Sequence, residues 1–169
     1  MYEEPIFDEV GRVPKDLYII GHDPVRTDDP DGSSLASIYV LKTSNHWQKH
    51  GHNEIVAQFV GRPFIGREKT NEILMKLSML YGNAKIFFEN AVGNVKEYFE
   101  KHKKLHLLAK TPTTIFTKKA SYDHGRNISY GYPMNSRKIK MDGLQYIRDW
   151  LVEERGTDQG VKIRNLDRI

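Results

Sequence analysis

The chain has 169 residues, 38% hydrophobic and 28% charged, with a net charge of +4, enough for one domain with a core of its own. It contains no cysteine, which excludes a disulfide framework and any thiolate metal site. No apolar run approaches the roughly 20 residues of a membrane helix, and the acidic start MYEEPIFDEVG lacks the basic and apolar regions of a signal peptide.

LYIIGHD (17–23) is a short β-type run, and the turn formers DDPDGSS (28–34) follow it. LASIYVLKT (35–43) and EIVAQFVG (54–61) are two more β-rich runs around a polar tip, SNHWQKHGHN (44–53). Short polar connections between three such runs predict an antiparallel meander. The period then changes. In REKTNEILMKLSMLYG (67–82) Ile73, Leu74, Leu77 and Leu80 fall on one helical face, with Gly82 as a stop. AKIFFEN (84–90) reads as a buried strand, GNVKEYFEKHKK (93–104) as an amphipathic helix with a basic last turn, and LHLLAK (105–110) as a fifth strand. Residues 111–135 read as an extended loop or hairpin, and SRKIKMDGLQYIRDWLVEER (136–155) as a closing helix. The expected fold is α/β: a mixed five-stranded sheet, three antiparallel strands followed by parallel ones, flanked by helices.

Asp23 ends the first run and Glu89 the fourth. Alone, an Asp before Pro is an ordinary turn, and Glu-Asn before AVGN an ordinary loop. In a meander followed by a crossover, however, strands one and four can be parallel neighbours. Their carboxyl ends then lie about 4.8 Å apart. Two carboxylates that close repel unless a cation sits between them. Hard oxygen donors of this kind suit Mg²⁺ or Mn²⁺, and a pair of such ions supports phosphodiester cleavage. The charge distribution points the same way. Residues 1–31 are acidic and residues 96–140 are rich in lysine and arginine, which suits a metal-binding site facing a polyanion. Simple surface heterogeneity gives the same distribution.

IIGHDPVRTDDPDGSSLASIYV, AKIFFENAVGN and GYPMNSRKI together resemble the nuclease domain of tailed-phage terminase large subunits, over roughly residues 6–150. The resemblance implies an RNase H-like fold that cuts concatemeric double-stranded DNA during viral genome packaging. It places Asp23 and Glu89 on the first two metal-binding acids of a two-metal Mg²⁺ or Mn²⁺ site. It further implies an ATPase motor, a small terminase subunit and a portal as partners, and a viral protein at work in the host cytoplasm and not secreted. No G-x-x-x-x-G-K-[ST] occurs, so the motor motif is absent from this sequence. Residues 1–16 are similar to the tail of a connector, with the nuclease domain over 17–169. The family's third acid has no well-matched counterpart among Asp142, Asp149, Asp158 and Asp167, and is expected beyond Ile169 in a domain truncated at its C-terminus. That shortfall keeps open a catalytically incomplete DNA-binding or portal-docking module. Another RNase H-like nuclease, a resolvase or transposase core, is a further alternative.

Lys118, Lys119, Arg126, Arg137, Lys138 and Lys140 flank Tyr122, Tyr130 and Tyr132 and form the expected DNA-binding set. His46, His50 and His52 read as a hairpin tip and not as a zinc site. DDPDG lacks the spacing of an EF-hand loop and reads as a solvated turn, with Asp28 or Asp29 at most on the rim of the acidic site. His22 should point to the opposite face of the sheet from Asp23 and pack inside.

Overall fold

The computed structural model describes residues 1–25, 35–43, 54–61, 66–111, 129–134, 137, 139–145 and 148. Among the described residues four strands form one sheet in the order β3-β2-β1-β4: β1 (Tyr18–Asp23), β2 (Ala36–Lys42), β3 (Glu54–Gly61) and β4 (Lys85–Phe88). β1 pairs antiparallel with β2, β2 antiparallel with β3, and β1 parallel with β4. The meander and the crossover therefore both occur as expected. The crossover runs through α1 (Gly66–Leu80), and α2 (Val95–Lys101) follows β4. Residues 137, 139–145 and 148 are helical as well, so among the described residues helices at three places along the chain accompany the mixed sheet. None of the described helices is long and apolar enough to cross a membrane.

Side chains of β1 alternate strictly. Tyr18, Ile20 and His22 are buried, while Gly21 and Asp23 face out. Tyr18 and Ile20 join Ile38, Val40, Leu74, Ile86, Phe88 and Phe99 in one core. Burial of such side chains contributes roughly 1.5–3 kcal/mol each. The helical period of α1 is correct, but its buried stripe is more polar than the leucine pattern predicts. Leu74 is fully buried, yet Leu80 is 47% exposed, and the remaining inward positions include Thr70, Asn71 and Ser78. Hydrogen bonding makes this tolerable for two of them. Ser78 Oγ donates to the Ala84 carbonyl (2.8 Å) and Asn71 Nδ2 to Asn94 Oδ1 (2.9 Å). Gly82 ends the helix in the left-handed conformation, at φ 71°, where a side chain is unfavourable.

The predicted fifth strand is not a strand. Leu105–Leu107 form a 3-10 turn, and only Leu108, bridged parallel to Ile86, and Lys110, bridged antiparallel to Tyr130, retain β pairing. Two causes are visible. Leu107, Leu108 and Ala109 are buried in succession, which a two-residue alternation cannot achieve. The outer edge of β4 is also shared. Ala109 N–H takes the Ile86 carbonyl (2.8 Å), but Tyr132 N–H takes that of Phe88 (2.7 Å).

The leading segment is fastened to the end of the sheet remote from Asp23. Tyr2 and Glu3 N–H both donate to the Val56 carbonyl (2.8 and 3.1 Å). Tyr81 Oη donates to the Glu3 carbonyl (2.7 Å), and Ile6 N–H to Tyr18 Oη (3.0 Å). Lys42 Nζ lies 2.7 Å from Glu3 Oε1 and 3.6 Å from Glu54 Oε2. A largely buried ammonium between two carboxylates helps fix the register of this contact, because either carboxylate left alone would meet a desolvation cost.

Candidate active site

Proline follows Asp23 and ends β1, since it cannot donate to the ladder. The β1–β4 register pairs Ile20 with Ile86 and His22 with Phe88. One step further, Asp23 and Glu89 stand side by side at the carboxyl edge, where Glu89 N–H donates to the His22 carbonyl (3.3 Å). Asp23 is also paired with Ser37 of β2. Asp23 is exposed, on the face opposite the buried His22, and the alternation of β4, whose Phe88 is buried, carries on to put Glu89 on that same face.

The end of β4 is held from its other side by residues 129–132. Tyr132 N–H donates to the Phe88 carbonyl (2.7 Å) and its carbonyl accepts from Asn90 N–H (3.0 Å). Asn90 Nδ2 reaches the Tyr130 carbonyl (2.9 Å). Gly131 makes this approach possible. At φ 76°, a Cβ on it would lie 2.6 Å from the Phe88 carbonyl oxygen.

The result is an open groove of about 340 Å³ lined by Asp23 and Glu89 together with His22, Phe87, Phe88, Tyr132 and Met134. The rings of Phe87 and Tyr132 are 5.9 Å apart and tilted by 38°. Burial raises the Tyr132 phenol above its ordinary value of 10.0, so it stays protonated at neutral pH. Two carboxylates on adjacent strand ends fit a divalent cation as part of an oxygen shell, with water completing an octahedron. Among the described residues no three His, Asp or Glu side chains converge as a metal cluster.

Of the acids considered for a third ligand, Asp142 is exposed in the helical segment and does not line the groove. Asp149, Asp158 and Asp167 lie outside the described residues. So do Lys118, Lys119, Arg126 and Lys138, the three histidines at 46, 50 and 52, and Asp28 and Asp29. Arg137 and Lys140 are exposed on the helical segment. Phe87 and Met134 are groove residues that the sequence reading passed over. Alternation gives a signal for Phe87, which stands two residues before Glu89 and so shares its face.

The sequence matches no protein-family model and no curated protein.

Behind the pair, His22 is 6% exposed and packs inward as its alternation predicts. Its Nδ1 donates to the Ser37 carbonyl (2.8 Å). Burial lowers the pKa of His22 from 6.5, against smaller opposing effects from the Ser37 carbonyl and the Asp23 charge. The native ring is thus neutral, while the unfolded ring takes up a proton near pH 6.5. The stability contributed by the neutral ring is complete above that pH and is lost as the pH falls toward the lower native value. His22→Asn should therefore flatten the acid-side loss of stability by up to about 1.4 kcal/mol per pH unit. Urea midpoints of both proteins at pH 7 and pH 5 measure this, and identical acid slopes would contradict a neutral buried ring.

Proposed function

We propose that this chain is a metal-dependent endonuclease domain of RNase H-like type, cutting concatemeric double-stranded DNA during viral genome packaging. The observation that carries the reading is the parallel β1–β4 register, which brings Asp23 and Glu89 together in an open groove. Their carboxylates would hold Mg²⁺ or Mn²⁺, and when bound such ions lower the pKa of water and stabilise the leaving oxygen of a phosphodiester. The chain's own contribution is to fix the two carboxylates on rigid strand ends. The Phe87–Tyr132 wall offers an apolar surface to a sugar or base. Arg137 and Lys140, with Lys118, Lys119, Arg126 and Lys138, supply phosphate contacts. The resemblance in sequence adds an ATPase motor, a small terminase subunit and a portal as the partners of such a domain.

Nicking of supercoiled plasmid by the purified chain with Mn²⁺, and its loss in EDTA, tests the reading. A second reading is favoured by the two-acid donor set of the described residues: a DNA-binding or portal-docking module without full catalytic ability. It predicts DNA binding with no nicking. Preference for branched over linear duplex would instead favour a resolvase or transposase core.

If all six basic residues meet phosphates, the log–log slope of affinity against salt should be about −5, a loss of about 10³-fold between 50 and 200 mM. Arg137→Ala with Lys140→Ala should make the slope shallower by about 2. Fluorescence anisotropy with a labelled duplex reads both, and a flat salt response would contradict the phosphate contacts.

A further inference from the structure

Directly behind Asp23, on the buried side of the sheet, is a small pocket of about 10 Å³ lined by His22, Pro24, Thr70, Asn71, Gly93 and Asn94 among others. Two side chains on its wall each carry a polar atom that has no hydrogen-bond partner among the described residues: His22 Nε2 and Thr70 Oγ1. His22 is 6% and Thr70 4% exposed. The Ser37 carbonyl can only accept, so its bond with Nδ1 places the ring proton there and leaves a lone pair on Nε2. Thr70 Oγ1 can both donate and accept. Leaving two such atoms dry is costly, while a pocket of this volume is close to what one water requires.

We propose that this pocket is a binding site for one structural water, which donates to His22 Nε2 and bonds Thr70 Oγ1. The Asn71–Asn94 amide pair, bonded at 2.9 Å, borders the same space and offers the water further polar neighbours. The water joins three elements: the end of β1 through His22, α1 through Thr70, and the turn before α2 through Asn94. That turn already packs closely on β1, since a Cβ on Gly93 would lie 3.0 Å from Pro24 Cβ. The water then ties the strand end that carries Asp23 to α1.

Thr70→Val keeps the shape and removes the hydroxyl. If the pocket holds a water, the substitution deletes one of its bonds and lowers the thermal midpoint by about 3 °C. If the pocket is dry, it removes a buried unsatisfied group and the midpoint rises or stays unchanged, which overturns the proposal. A high-resolution crystal structure of the unsubstituted protein gives an independent reading should the variant fold poorly. Water density about 2.7–3.2 Å from both Nε2 and Oγ1 supports the site, and its absence from both atoms refutes it.

Discussion

Asp23→Asn is expected to lower Mn²⁺-dependent plasmid nicking at least about 100-fold, because a bound cation contributes several kcal/mol of transition-state stabilisation. The substitution is nearly isosteric, and Asp23 is exposed at the strand end, so stability should stay within about 0.5 kcal/mol of the parent. Circular dichroism and the thermal midpoint establish that the variant folds. Glu89→Gln should behave alike, since the two carboxylates flank the same space. If they act as one unit, the double variant should lose little more than either single one. Calorimetric titration with Mn²⁺ separates the steps, for both variants should bind more weakly than the parent. A purified Asp23→Asn protein that nicks as fast as the parent would show that the activity belongs elsewhere on the chain or to a contaminant.

Much of this geometry is legible in the sequence, for reasons that differ by element. LYIIGHD ends at a proline and AKIFFEN is bounded by glycine and asparagine, so strand ends could be read from punctuation. The change from a two-residue to a helical period after residue 61 indicated a crossover, and with it the parallel pairing of β1 and β4. Hydrophobicity alone misjudged α1. Leu80 is apolar yet 47% exposed, whereas Ser78 is polar yet fully buried, because its hydroxyl meets the Ala84 carbonyl. Such satisfaction is a tertiary property that no periodicity carries. LHLLAK failed as a strand for a related reason. Its composition is right, but the β4 edge it would occupy is partly taken by Tyr132, more than twenty residues later in the chain. The sequence shows Gly131 and Tyr132 as neighbours but not that they dock beside Glu89.

That docking gives Gly131→Ala a large expected effect on stability. The residue sits at φ 76°, where a non-glycine residue costs about 1–2 kcal/mol. The added Cβ would meet the Phe88 carbonyl oxygen at 2.6 Å, Phe88 Cζ at 3.0 Å and Asn90 Cβ at 3.1 Å. The first of these atoms is backbone of the central sheet and cannot turn aside as a side chain would. Relief requires the 129–132 segment to lift away from β4. Tyr132 N–H would then lose the Phe88 carbonyl, and Gly131 N–H that of Ala109. Overpacking of this kind costs a further 1–3 kcal/mol or so, for a total near 3 kcal/mol and a thermal midpoint lowered by roughly 6–12 °C. Gly143→Ala is the matched control. It lies in the helical segment with nothing within 4 Å of its would-be Cβ, so the same added methyl should stabilise by up to about 1 kcal/mol. Opposite shifts of the two midpoints are the expected result. Nicking by Gly131→Ala, measured well below its lowered midpoint, should also fall, because lifting Tyr132 opens one wall of the groove and frees the end of β4. If Gly131→Ala melts with the parent, residues 129–132 do not clamp β4, and Glu89 is held in place by its pairing with β1 alone.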